Sequence, residues 1–343
     1  TAQLHTITTP DAVTIQRTFS EWSDYGVELA AMEVSSHALE LGRVEGIQFD
    51  TAVFTNLSPD HLDFHKDMES YGNAKLKLFK KECIKNVVSN FDDSFTAKIK
   101  KEISPRVRYL TFSIFPREAA DIRLLKYSKR NIGFDGVIDT PWGVSDFKSP
   151  LLGECNLENL LAAVSSSLLY GISLADIIEA IPSLRPIPGR LELLENDCGL
   201  DVVIDYAHTP KALEQAIHAL RPFVKRSLTI IFGCGGERDR SKRPEMGRVA
   251  CYGSDVVILT NDNPRHESSE DILDEIETGC DRDVHRISDR AKAIFFAINE
   301  AQPGDCILIA GKGHEKIQVF GDVELKFSDS DCARKALEAR CSI

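Results

Sequence analysis

Beyond residue 200 the chain alternates short aliphatic runs with stretches that carry apolar residues at helical spacing. The runs are Val202 to Tyr206, Leu228 to Phe232, Val256 to Thr260 and Cys306 to Ala310. None alternates polar with apolar, so each reads as a strand covered on both faces, the signature of a parallel sheet sandwiched by helices. The intervening helices are expected over Pro210 to Pro222, Pro244 to Cys251, Ser269 to Glu277 and Asp289 to Glu300, with a terminal helix from Ser328. The outcome is a doubly wound, Rossmann-like α/β domain, whose ligands belong at the carboxyl ends of its strands.

The front half is less regular. Asp11 to Trp22 reads as a helix ending near Gly26, followed by strands over Glu28 to Val34 and Asp50 to Thr55, a helix from Met68 to Phe79, and a strand over Ile84 to Ser89. That β-α-β rhythm again predicts a mostly parallel sheet. From Val107 to Ser149, short strands punctuated by Asn131, Gly133, Asp135-Gly136 and Pro141 read as a small antiparallel meander. Helices return over Asn156 to Tyr170 and Leu174 to Ile181. Pro182, Pro186, Pro188 and Gly189 then rule out continuous helix or central strand. The boundary is placed there, giving domains 1–185 and 186–343, as the chain's 343 residues exceed one typical core.

Composition narrows the function. A formal net charge of -12 argues against a nucleic-acid partner, which needs clustered Lys and Arg. Nine scattered cysteines without a C-x-x-C pair fit a reduced, cytoplasmic chain better than a disulfide framework or zinc ribbon. No run is apolar enough for a membrane span, and the first residue, Thr1, marks a processed chain or a fragment.

Chemistry-bearing residues collect where strands end. Glu33 to His37 (E-V-S-S-H) and Thr55 to His65 bring acids, hydroxyls and imidazoles to one sheet edge. His61 and His65 have i,i+4 spacing, but Asp60, Asp63 and Glu33 are hard oxygen donors that suit magnesium better than zinc. The bland alternative is a capped helix with surface histidines. In the second domain, Gly233 to Arg240 joins backbone-freeing glycines to a basic cluster of Arg238, Arg240, Lys242 and Arg243, pointing to an anionic ligand. Asp205 ends one strand before a proline-started helix and suits either a helix start or a ribose contact. Gly311-Lys312-Gly313-His314-Glu315 ends another strand. Asp262-Asn263-Pro264-Arg265 sets an acid beside a guanidinium, a pair suited to the ammonium and carboxylate of an amino acid, although alone it would pass for an ordinary turn.

Taken in order, these blocks resemble the Mur ligases over nearly the whole chain: E-V-S-S-H, T-N-L-S-x-D-H-L-D at Thr55 to Asp63, A-K at Ala74-Lys75, D-Y-A-H-T-P at Asp205 to Pro210, the glycine-arginine loop, D-N-P-R, and G-K-G-H-E at Gly311 to Glu315. The resemblance implies ATP-dependent addition of an amino acid to UDP-MurNAc-L-Ala-D-Glu through an acyl phosphate, in cytoplasmic peptidoglycan precursor synthesis. It makes the first domain a central ATP-binding type and the second an amino-acid-binding one. Magnesium is implied at Glu33, His61 and Lys75, the lysine being carbamylated. Thr8, Thr9, Ser35 and Arg43 match positions holding the UDP-muramoyl-dipeptide, and Asn159, Arg190 and Asp205 match ATP contacts. Arg238, Asp262, Asn263, Pro264, Arg265, Gly311 and Glu315 match the amino-acid pocket. Because D-N-P-R differs in lysine-adding members, the implied amino acid is meso-diaminopimelate. The implied partners are small molecules alone, without nucleic acid or membrane, and the chain is taken as a monomer.

The departures are an N-terminal uridine-gripping domain and a G-x-x-G-x-x-G-K-[ST] phosphate loop, neither present in this sequence, and Ile7 and Leu41 at positions polar in the family. Without that loop, little ligase activity is expected of this chain alone. The competing readings are a lysine-adding Mur ligase, a folylpolyglutamate synthase, or an amino-acid-binding fragment without catalysis.

Overall fold

A computed structural model describes residues 8–130 and 133–341, apart from the side chain of Asp63. The positions Ile7 and Asn131, and Asp63 as a metal donor, therefore lie outside the described residues. The chain forms two compact units. One comprises 1–127, 136–147 and 157–180; the other comprises 128–135, 148–156 and 181–343.

The first unit opens with α1 (Ala12–Asp24), capped by the Asp11 carboxylate on the Thr14 N–H, and α2 (Ser36–Glu40). Between them, residues 28–34 form no strand, contrary to the sequence expectation. Among the described residues no neighbouring strand supplies ladder bonds to them, and without such bonds a segment is not a strand. β1 (Thr51–Phe54), α3 (Leu62–His65), α4 (Met68–Phe79), β2 (Asn86–Asn90), α5 (Phe95–Glu102) and β3 (Arg108–Ser113) follow. β1, β2 and β3 pair in parallel around Ala52, Phe54, Val87 and Ile99, with Leu76 and Phe79 of α4. The sheet continues into β4 (Ile122–Lys129), β5 (Phe134–Thr140) and β6 (Gly143–Ser149). Two residues join β5 to β6, a span only antiparallel neighbours can close. Asp135-Gly136, expected as a turn, lies inside β5: a Cβ on Gly136 would sit 2.6 Å from the Phe147 ring, so glycine admits the aromatic side chain. α6 (Glu154–Tyr170) and α7 (Leu174–Ala180) end this part of the chain.

The second unit begins in earnest at Ile181. Its elements are β7 (Glu192–Leu194), β8 (Asp201–Asp205), α8 (Pro210–Leu220), β9 (Leu228–Phe232), α9 (Lys242–Gly253), β10 (Val256–Leu259), α10 (Ser269–Glu277), β11 (His285–Arg286), α11 (Arg290–Glu300), β12 (Cys306–Ala310), β13 (Ile317–Phe320), β14 (Val323–Lys326) and α12 (Asp329–Cys341). The sheet order is β11-β10-β9-β12-β8-β7, all parallel except the β7 edge. Leu213, Ile217, Met246, Ala250 and Ile272 of α8 to α10 cover one face. Ala293, Ile294, Ala297, Ala333 and Ala336 of α11 and α12 cover the other, which makes the domain doubly wound. β12 inserts between β8 and β9, so the strand order switches there, and in such sheets ligands belong at the carboxyl ends beside the switch.

Two further differences from the sequence reading stand out. The antiparallel β13-β14 hairpin was not foreseen. A disulfide joins Cys198 to Cys341, so the chain is not the wholly reduced one expected; the loop after β7 and the end of α12 bring these two cysteines within 5.8 Å Cα to Cα, close enough to bridge.

Candidate functional site

In the first unit, the loop leaving β1 turns through His61, which caps α3 in the left-handed region at φ 55°. A non-glycine residue held there stores about 1–3 kcal/mol, and such strain concentrates at functional positions. The His61 N–H donates to Asp60 Oδ1 at 2.8 Å, and its Nε2 lies 3.6 Å from Asp60 Oδ2. Its ring meets those of His37 at 4.8 Å and Tyr71 at 6.1 Å. Lys75 stands one turn beyond Tyr71 on α4, its ammonium 5.0 Å from the Tyr71 ring centre. Burial lowers the basicity of Lys75, and the nearby Asp60 charge opposes this. Asp60, His61, Tyr71 and Lys75 are thus brought together.

Among the described residues Glu33 is not tied to that cluster: its side chain is exposed, and only its backbone carbonyl is engaged, accepting from the Thr9 hydroxyl at 3.0 Å. Among the described residues no three His, Cys, Asp or Glu side chains gather to hold a metal. Thr9 is buried, its hydroxyl accepts from the Ser35 N–H at 2.9 Å, and its carbonyl accepts from Arg43 at 3.1 Å. Ser35 also caps α2 through the Ala38 N–H. These three residues hold one another, and exposed Thr8 adjoins them. Asn159 is exposed on α6.

The second unit gathers the ends of β8, β9, β10 and β12. Gly233 and Gly236 pass so close to the D-N-P-R loop that a Cβ would lie 2.0 Å from the Thr260 carbonyl oxygen and 1.9 Å from that of Pro264. Only glycine admits this approach. Arg265, also left-handed at φ 53°, donates through one terminal nitrogen to the Gly236 carbonyl at 2.6 Å. Among the described residues its other guanidinium nitrogens carry no hydrogen bond. Asp262 is 9% exposed, yet its carboxylate takes no hydrogen bond among the described residues. Gly311, at φ 112°, leaves room for it, since a Cβ there would lie 2.8 Å from Asp262 Oδ2. Asn263 Nδ2 donates to Glu315 Oε2 at 3.1 Å. The D-N-P-R loop thus carries a nearly enclosed carboxylate without a donor and, three residues on, a guanidinium with spare N–H groups, both judged among the described residues, a combination that suits a ligand bearing both charges.

Other expectations need correction. Of the four basic residues after β9, three are committed to the protein: Arg243, fully buried, pairs with Glu267 at 2.9 Å and Glu275 at 2.8 Å, Arg240 pairs with Glu275, and Lys242 donates to the His208 carbonyl at 2.8 Å. The arginine cluster mainly ties α9 to α10. Arg238 is exposed and, among the described residues, bonded only to the adjacent Glu237 carbonyl, so it alone of the four has no partner beyond its own turn. Asp205 accepts the N–H groups of Leu191 and Ala207, both at 2.8 Å, pinning the proline-rich segment to β8, while burial raises its pKa. Arg190 stacks on Tyr206 at 4.7 Å.

Sequence reasoning missed the scaffold under the site. Arg290 and Asp329, both wholly buried, form a two-pronged ion pair at 2.6 and 2.7 Å. Arg290 also donates to the carbonyls of Ala310 at 2.9 Å and Asn261 at 3.3 Å, the residues just before Gly311 and Asp262. The available signal was a charge at a core position: Arg290 shares its helix face with Ala293, Ile294 and Ala297, and Asp329 shares its own with Cys332, Ala333 and Ala336. The β13-β14 hairpin clamps the loop from the far side, Gln318 donating to the Asp262 carbonyl at 2.9 Å and Arg265 N–H to the Val319 carbonyl at 3.0 Å.

The fold and these strand-end clusters define a two-unit α/β protein with polar loops gathered at the carboxyl ends of its strands. Residues 1–167 match the Mur ligase middle domain and residues 189–313 the Mur ligase glutamate ligase domain. The chain belongs to the Mur ligase family. It is 44% identical to the UDP-N-acetylmuramoyl-L-alanyl-D-glutamate--2,6-diaminopimelate ligase of Trichormus variabilis, over 98% of this chain and 69% of that protein. A solved structure of an enzyme of the same name superposes with a TM-score of 0.69 at 37% identity, over 99% of this chain and 70% of the other. The Thermotoga maritima MurF ligase in complex with ADP shares the fold at 18% identity, with a TM-score of 0.65 over 90% of this chain and 66% of that one.

Proposed function

We propose that this protein uses ATP to add meso-diaminopimelate to UDP-MurNAc-L-Ala-D-Glu, activating the substrate carboxylate as an acyl phosphate that the incoming amine displaces. The observation that carries the choice of amino acid is the nearly enclosed Asp262 carboxylate, without a hydrogen-bond partner among the described residues, in the same loop as Arg265. Diaminopimelate has two amine-carboxylate ends, so its pocket needs both acids and donors: Asp262 and Glu315 accept from ammonium, while Arg265, Arg238 and the Asn263 amide donate to carboxylate. Pro264 stiffens this loop, and Gly311 leaves room for the Asp262 carboxylate.

In the first unit, His61 and Glu33 are assigned to magnesium, with Lys75 once carbamylated. Reduced basicity at Lys75 supports this, because only the neutral amine attacks carbon dioxide and the product is an anionic oxygen donor. The donor set then suits a hard cation, which offsets the charge crowding between ATP and a carboxylate. Thr8, Thr9, Ser35 and Arg43 are assigned to the muramoyl dipeptide, and Asn159, Arg190 and Asp205 to ATP. The domain division at the proline-rich run, 1–185 and 186–343, is retained as a functional proposal that separates activation from amino-acid choice.

Calorimetric titration with meso-diaminopimelate and with L-lysine, each with and without ATP and magnesium, tests the assignment. Tighter binding of diaminopimelate is expected; a preference for lysine would refute it.

A further inference from the structure

The G-K-G turn at the end of β12 sets a lysine between two glycines. Its side chain turns inward. Gly311 at φ 112° and Gly313 at φ 52° reverse the backbone on either side, and Lys312 is wholly buried. Its Nζ donates to Asn263 Oδ1 at 3.0 Å and to Glu315 Oε2 at 2.8 Å. A second donor, the Val319 N–H, reaches the same Asn263 oxygen at 3.1 Å.

The geometry points to Lys312 as a positioning residue that sets the polarity of the amino-acid pocket, an inference that rests on the proposed function. An asparagine amide is a donor at one end and an acceptor at the other, and the two ends have nearly the same shape. With two donors converging on one end of Asn263, that end is the oxygen. Nδ2 then faces the other way, one N–H going to Glu315 Oε2 and the second having no acceptor among the described residues. The same ammonium holds one Glu315 oxygen, leaving Oε1 unclaimed among the described residues. The buried ammonium, with the Val319 N–H on the same Asn263 oxygen, therefore orients one free N–H donor for a carboxylate and, alone, one free Glu315 oxygen for an ammonium. Without it the amide can turn over and present an acceptor where a carboxylate must sit, and a carboxylate meeting an acceptor is repelled.

The discriminating quantity is the ratio of Kd for L-lysine to Kd for meso-diaminopimelate, because these ligands differ by one carboxylate. Loosened folding weakens both ligands alike and leaves the ratio in place. In Lys312→Met the ratio is expected to fall at least tenfold, and the double variant Lys312→Met/Asn263→Ala is expected to be no less selective than Asn263→Ala alone, because the lysine acts through the amide. If the methionine variant does not fold, Lys312→Gln retains one donor to Asn263 and should lose part of the ratio. A folded Lys312 variant with the unaltered protein's ratio, or additive losses in the double variant, overturns the inference while leaving the functional proposal standing. An unaltered protein that does not prefer diaminopimelate overturns the functional proposal and this inference with it.

Discussion

At the residue scale the proposed pocket is a matter of which polar groups are already spent. Arg243 and Arg240 look like ligand residues in the sequence, yet their charges are taken up by Glu267 and Glu275. Asp262 looks like a turn residue, yet its carboxylate is the one left over. Asp262→Asn should therefore weaken meso-diaminopimelate binding by about 1.5–3 kcal/mol, roughly 10- to 100-fold, the worth of a hydrogen bond to a charged group. Its unfolding midpoint should barely move, since no hydrogen bond within the protein is lost. Calorimetry beside a urea titration checks both halves; unchanged affinity would remove Asp262 from the pocket. The acid and the guanidinium were legible in the sequence as a complementary pair. Which charges are free was not, because that depends on partners about 25 to 50 residues away.

At the element scale, two ion-pair systems hold the strand ends in place. The Arg290-Asp329 pair joins the first residues of α11 and α12 beneath two loop-bearing carbonyls. Removing one partner from a wholly buried pair costs about 3–5 kcal/mol. Asp329→Asn should therefore lower stability by that order in chemical denaturation and also weaken diaminopimelate binding, because the Ala310 and Asn261 carbonyls lose their fixed donor; a variant that is destabilised but binds normally would limit the pair to folding.

The second system is acid-sensitive. Hydrogen bonding by Arg243, then by the Glu237 N–H, lowers the Glu267 pKa to about 2 from an ordinary 4.5. Its contribution is complete above about pH 4.5, where the unfolded chain is ionised too, and is lost as pH falls through about 2. The stability gap between the unaltered protein and Glu267→Gln should hold near neutral pH and close between those values, as urea melts across pH would show. The sequence revealed the helices these residues sit on, because apolar spacing reports which face is buried. It concealed the pairing, because a charged residue at a core position announces burial without naming its partner.

At the scale of the whole molecule, two units divide the chemistry by residue type: Asp60, His61 and Lys75 in one, and the D-N-P-R and G-K-G-H-E loops in the other. The disulfide Cys198–Cys341 lies wholly within the second unit and closes a segment of 143 residues. By loop entropy it contributes up to about 5 kcal/mol to that unit. Thiol reductant, or Cys198→Ser, should lower the melting temperature of the transition belonging to this unit and leave that of the first unit in place; calorimetric scans with and without reductant would show it. Unaltered melting would mean the two sulfurs contribute nothing as a bond. The doubly wound sheet, its helices and the strand-end location of the pocket were determined by the sequence itself, because hydrophobic periodicity and glycine or proline punctuation act locally along the chain. That the β13-β14 hairpin closed over Arg265 and that Lys312 turned inward only the tertiary structure decided: each depends on a hydrogen-bond partner that the chain must fold to supply.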